Sequence, residues 1–195
     1  MTNPSLAKHT MLGYQDFKSE VATGTLPAVS FLKPSAIYDG HPASSSLAAF
    51  ETFASQTVND VMANPKLFDS TAIFITMDEG GGYYDSGYIE PIDYFGDGTR
   101  TIMMAIWPWT APGQIDHTYT DHVSFIKFIE ANWHLSPLAP NSRDHLPNPT
   151  RGPNAYIPGS RPAIGNLMTL FDFSHKRTDL KPIPIDPGEG PVSNR

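Results

Sequence analysis

The stretch TAIFITMDEGGGYYDSG, Thr71 to Gly87, drives an apolar run straight into two adjacent carboxylates, Asp78 and Glu79, and then into Gly80, Gly81 and Gly82. Adjacent acids repel each other, so the arrangement asks for a compensating partner. Hard oxygen donors suit a divalent metal ion such as calcium, magnesium or manganese, and an added imidazole would admit zinc or iron. Glycines let the backbone approach a ligand closely and adopt positive φ. The competing reading is an acidic strand-to-loop turn that is merely solvated, because clustered carboxylates mark functional sites only statistically.

Histidines supply the second candidate set. His41 lies in YDGHPASSS, a loop ahead of a helix, where an imidazole can donate to a phosphoryl oxygen or protonate a leaving group. It can equally be a helix-start residue bonded to backbone. His117 and His122 belong to DHTYTDH, a repeated Asp-His pair just before a second helix, for which capping by Asp121 is the alternative. Arg100 in FGDGTR could clamp an anionic group or pair with Asp93 or Asp97. Ser44 to Ser46 read as helix caps, since no G-x-S-x-G elbow is present. Phosphate-loop and dinucleotide fingerprints are absent as well. Tyr83, Tyr84, Tyr88, Tyr94 and Phe95 are numerous enough to wall a pocket, although aromatic clusters more often form core.

Elements must hold these groups in place. SSSLAAFETFASQTVNDVMANP predicts a helix with Leu47, Phe50, Ala54, Val58 and Val61 on one face and Pro65 past its end. TLPAVSFL (Thr25 to Leu32), STAIFITM and TIMMAIW predict strands, the last two buried on both faces. DHVSFIKFIEANW predicts a second helix with Val123, Ile126, Ile129 and Trp133 facing inward and Asp121 as N-cap. Strands alternating with helices indicate an α/β fold with a mostly parallel sheet, whose ligand sites lie beyond the carboxyl ends of the strands. Eleven of the 19 prolines follow Leu135, which predicts a segment of surface turns pinned by GNLMTLFDF. The reading is one domain over 1–175 and a flexible tail over 176–195.

Bulk properties narrow the function classes. The 195 residues are 39% hydrophobic, enough for a real core, and the net charge of −7 argues against nucleic-acid binding. There is no cysteine, which excludes disulfides and thiolate metal sites. No apolar run reaches the length of a membrane span. The first residues, MTNPSLAKHTMLGYQDF, lack the basic and apolar segments of a signal peptide.

Taken together, GTLPAVSFLKP, DGHPASS, DSTAIFITMDEGGGYYD, GDGTRTIMMAIWPW, DHTYTDHVSFIKFIEANW and LMTLFDF resemble, in order and over about Asp16 to Ser174, the bacterial phosphoesterase family of non-haemolytic phospholipases C and acid phosphatases. The resemblance implies a three-layer α/β sandwich similar to alkaline phosphatase, with a mostly parallel sheet flanked by helices and incomplete at the N-terminus. It implies metal-dependent hydrolysis of phosphate esters, with Asp78 and Glu79 as ligands of a divalent metal ion. His41 would contact the phosphoryl group or act as general acid, Asp85 would be catalytic, and His117, His122 and Arg100 would lie near the phosphate. Members of the family are often secreted or periplasmic.

Three departures qualify the match. Nothing in Met1 to Phe17 matches the Glu-Asn-Arg-Ser type segment or the Ser or Thr nucleophile of the family's N-terminal half. Ser86 stands where many phospholipase-type relatives have histidine, and Arg100, Thr101, Ile102 replaces Arg-Val-Pro. The expectation is a phosphoesterase that needs an N-terminal part or partner, or else an inactive domain that binds metal or phosphate. An unpaired sheet edge would also favour a homo-oligomer.

Overall fold

A computed structural model describes residues 13–85, 87–154 and 157–185. Where the sequence predicts one domain over 1–175, these residues pack as two compact units. One comprises 13–73 and 178–185; the other is Phe74–Arg177. Ser86 and residues 186–195 of the expected tail lie outside the described residues. Among the described residues no helix is long and apolar enough to cross a membrane.

The first unit is helical. Helix α1 (Tyr14–Thr23) opens with Gly13 N–H donating to Asp16 Oδ2 at 2.9 Å and stops at Gly24, whose φ of 70° is the left-handed conformation that glycine tolerates. Helix α2 (Leu47–Met62) begins where the serine cluster predicts: Ser46 Oγ accepts from Ala49 N–H at 3.1 Å. Its inward face is Ala49, Ser55, Val58 and Val61, while Leu47 is half exposed, so the apolar stripe sits slightly rotated from the expected one. Burying Val58 and Val61 contributes about 2 kcal/mol each.

Pro65 does more than end α2. It is the first residue of α3 (Pro65–Asp69), capped by Asn64, whose Oδ1 accepts from Leu67 N–H while Nδ2 donates to Val21 O at 2.9 Å. One amide therefore ties the end of α1 to the start of α3. Part of the expected tail is also pinned, because Ile183 N–H donates to Asn59 Oδ1 at 2.7 Å and Ile183 O accepts from Asn59 Nδ2 at 2.8 Å. The run from Thr25 to Leu32 forms no strand. Pro27 removes a ladder donor and no neighbouring strand takes up the other backbone groups.

The second unit carries the sheet. Strands β1 (Ile73–Thr76) and β2 (Met103–Ile106) pair directly, and neither is covered on both faces: β1 is half-buried throughout, and Met104 of β2 is exposed. Phe74 of β1 meets Phe125 and Phe128 of α4 (Val123–Trp133), with ring centroids 5.6 and 5.0 Å away. Phe171 completes that cluster against Trp107 at 5.3 Å. LMTLFDF thus does pin the Pro-rich segment, through a 3₁₀ turn at Met168–Leu170 and an isolated antiparallel bridge between Thr110 and Phe171.

Helix α4 corrects the expected stripe. Its fully buried positions are Ser124 and Lys127, whereas Ile126 and Trp133 are exposed. Lys127 Nζ donates to Leu146 O and, at 2.6 Å, to Ile164 O. Two carbonyls of coil segments find a donor in the ammonium, which offsets the cost of burying it.

Candidate functional site

Asp78 and Glu79 follow the end of β1 and stand exposed at a cleft of about 840 Å³ within the second unit. The glycines shape its rim. Gly81 and Gly82 have φ of 62° and 77°, and Tyr83 N–H closes the turn on Gly80 O at 3.1 Å. A Cβ on Gly80 would lie 2.2 Å from Thr99 Oγ1, so only glycine lets this turn lie against the 99–101 segment.

Six carboxylates line the cleft: Asp78, Glu79, Glu90, Asp97, Asp116 and Asp121. His117, His122 and Arg100 line it too, so the predicted strand-end acids, both Asp-His pairs and the arginine come together in one place. His122 Nε2 lies 2.8 Å from Met77 O, and a carbonyl only accepts, so Nε2 carries the proton. That bond fastens the start of α4 to the residue preceding Asp78. The aspartates of the two pairs shape backbone: Asp116 Oδ1 accepts from Thr118 N–H at 2.9 Å, and Asp121 Oδ1 accepts from Val123 N–H at 2.8 Å, while the N-cap position itself falls to His122, one residue past the expected Asp121, with no side-chain capping bond.

Asp85 has a different environment. Arg100 meets it with backbone N–H at 2.7 Å, Nε at 2.8 Å and Nη2 at 2.6 Å, and Gly87 N–H adds a fourth donor at 2.8 Å. The Arg100 side chain, followed by the backbone bonds, holds the carboxyl at about 2. An acid held so low is a poor proton acceptor at neutral pH, and a Cβ on Gly87 would strike the Arg100 guanidinium at 1.9 Å. Asp85 and Arg100 form a clamp that closes the loop between β1 and β2. Asp93 and Asp97, the partners considered for Arg100, are held by Arg143 instead.

His41 belongs to the first unit. Its Nδ1 accepts from Ala43 N–H at 3.2 Å, its own N–H donates to Asp39 Oδ1 at 2.9 Å, and its carbonyl receives Ser44 and Ser45 N–H. These bonds are the kind expected of the backbone-bonded alternative. Ser45 Oγ donates to Ile37 O, so Ser45 and Ser46 both serve local structure.

Glu90 in the cleft and Arg143 behind its lining carry no signal in the sequence reading. Glu90 is fully buried, with Arg161 Nε 3.8 Å from its Oε1, and, after burial, its carboxylate raises the ionisation of Tyr88. Tyr119 donates its hydroxyl to Asp97 Oδ2; burial and then that carboxylate push its ionisation far up. Asp121 is also pushed up, chiefly by burial. Arg143 was hidden because it sits in the Pro-rich segment that composition marks as surface turns. Its flanking charges, in SRDH, were the available signal.

The donor chemistry at Asp78 and Glu79 fits a hard divalent cation in part. Two carboxylates suffice for an ion whose shell is completed by water and phosphate oxygens. Among the described residues no group of three or more His, Asp or Glu side chains is placed to hold a metal ion.

A model of the phosphoesterase family matches residues 2–136. The non-hemolytic phospholipase C of Burkholderia pseudomallei is 28% identical over 89% of this chain and 27% of its own length. Phospholipase C A of Mycobacterium tuberculosis is 32% identical over 86% of this chain and 34% of its own length. A probable acid phosphatase of Kluyveromyces lactis is 24% identical over 67% of this chain and 28% of its own length. The chain thus spans about a quarter to a third of the length of these curated relatives. With the family model covering well over half of its residues, the chain belongs to the phosphoesterase family.

Proposed function

We propose that this chain contributes the acidic pair of a metal-assisted site that hydrolyses phosphate esters, of the phospholipase C or acid phosphatase kind. The observation that carries the reading is Asp78 and Glu79 emerging together from β1 onto an acid-lined cleft. Family membership supports it. These two residues would hold a divalent ion, which when bound offsets the acids' repulsion and polarises a phosphoryl oxygen. His122 keeps the strand end fixed through Met77 O, and the Asp85–Arg100 clamp holds the glycine turn that frames the mouth. His117 lines the cleft as a phosphate-contacting candidate. For His41 the support is the family resemblance alone.

We also infer that β1 and β2 belong to a wider, mostly parallel sheet of a three-layer, alkaline phosphatase-like sandwich. The exposure of Ile102 and Met104 on and beside β2 supports it, since apolar strand faces are normally covered. The alternative is a domain that binds metal or phosphate without turnover.

One paired measurement separates the two: divalent metal content of the purified chain, and hydrolysis of a chromogenic phosphomonoester and phosphodiester. Metal-dependent hydrolysis that Asp78→Ala abolishes supports the enzyme. Metal bound without hydrolysis of either ester supports the binding domain, and hydrolysis untouched by Asp78→Ala sinks the assignment of the acidic pair.

A further inference from the structure

An anionic phosphate ester entering a cleft lined by six carboxylates meets a repulsive field. Arg100 in the lining is bound to Asp85, and a second cation, Arg143, reaches the cleft acids from outside the lining. Arg143 Nε donates to Asp93 Oδ2 at 2.7 Å and Nη2 donates to Gly96 O at 2.7 Å. Its Nη1 faces two cleft acids, Asp121 Oδ2 at 3.7 Å and Asp97 Oδ1 at 4.0 Å. The side chain is largely enclosed, and Asp121 is nearly buried beside it, so solvent screens these pairs less than a surface pair.

We propose that Arg143 is a positioning residue of the cleft, whose single guanidinium gathers Asp93, Asp97 and Asp121 and so fixes the wall that carries Tyr119 to His122 while reducing its negative charge. The fork geometry matters. One planar group spans the 93–97 loop and the start of α4, which a point charge cannot do as well. Asp97 is held from both sides, by Arg143 and by the Tyr119 hydroxyl. Asp121 in turn accepts from Val123 N–H at the first residue of α4, so the placement of His122 follows from the same contact. The charged and titratable groups around Asp97 and Asp121 are Arg143, Tyr119, Lys127 and Glu90. Arg143 is the cation at ion-pair distance from both acids.

This inference rests on the phosphoester reading, and the test separates the two. Arg143→Gln and Arg143→Lys are compared with the unaltered chain for KM and kcat on a phosphomonoester dianion and a phosphodiester monoanion. Thermal midpoint is measured alongside. Loss of one positive charge acts in proportion to ligand charge, so Arg143→Gln should raise KM on the order of tenfold for the dianion and about threefold for the monoanion. Arg143→Lys should restore the ratio between the two esters but not all of kcat, because the fork is lost. Equal changes for both esters, or a lowered midpoint with KM unmoved, would leave Arg143 a purely structural residue and overturn the proposal.

Should the unaltered chain hydrolyse neither ester, the phosphoester reading fails, and carboxyl titrations by NMR still decide the role of Arg143. In Arg143→Gln the Asp121 carboxyl should titrate at higher pH than in the unaltered chain, and in Arg143→Lys near its original position. An Asp121 titration unmoved in Arg143→Gln would overturn it.

Discussion

Asp78–Glu79 and Asp85 share one loop and one residue chemistry, yet the structure treats them in opposite ways. The first pair stands exposed at the cleft. Asp85, seven positions on from Asp78, has its side chain only 9% exposed and receives four donors from Arg100 and Gly87. A carboxylate saturated by four fixed donors has little capacity left for a ligand or a proton, whereas the strand-end pair is open to solvent at the cleft. Proximity to a glycine-rich turn therefore does not make a carboxylate a ligand, as the clamped Asp85 shows.

The strongest test of that contrast is to neutralise each member. Asp78→Asn should lower metal-dependent phosphoester hydrolysis by more than about 100-fold, beyond what losing an outer partner of a metal ligand costs, with the thermal midpoint nearly unchanged. Asp85→Asn should lower the midpoint and reduce activity less. If Asp85→Asn cripples turnover while leaving stability intact, the division into ligand and clamp is wrong and Asp85 takes part in the chemistry.

Acid titration sharpens the same comparison. The folded Asp85 carboxyl sits at about 2, below the ordinary value of about 3.9 for an unfolded chain. A depressed carboxyl contributes stability above the unfolded value and loses it as pH falls toward the folded one. The contribution should thus be complete above about pH 5 and vanish between about pH 4 and 2. Denaturation of the unaltered chain and of Arg100→Gln, followed across that window, should give curves that differ at pH 6 and converge near pH 2. Parallel curves would show that the ion pair does not stabilise the fold.

How far the sequence carries depends on whether a signal is local. Ser46 caps α2 as SSSLAAF predicts, because an N-cap serine needs only the N–H groups of its own helix's first turn. Ser46→Ala should accordingly cost about 1 kcal/mol in chemical denaturation. The convergence of Asp78, Glu79, His117, His122 and Arg100 on one cleft was legible through motif order. Arg143 and Glu90 were not, because their roles depend on partners as far away in sequence as Asp93 and Arg161. The run at Thr25 to Leu32 failed for the related reason that β propensity needs a neighbouring strand to become a strand.

Helix α4 gives the smallest and cleanest contrast, between an apolar residue that faces out and a charged one that faces in. Periodicity places Ile126 inward, but the neighbouring Lys127 is the buried residue, held by Leu146 O and Ile164 O. Lys127→Ala strands two carbonyls and should cost about 1–3 kcal/mol. Ile126 is 36% exposed and so still partly covered, and Ile126→Ser should cost less, about 1 kcal/mol. A reversed order in equilibrium unfolding would mean that the apolar stripe is covered in solution and that the ammonium is not what anchors the Pro-rich segment to α4. The expected order instead makes Lys127 the residue through which that segment, and Arg143 within it, is held against the helix that ends the cleft wall.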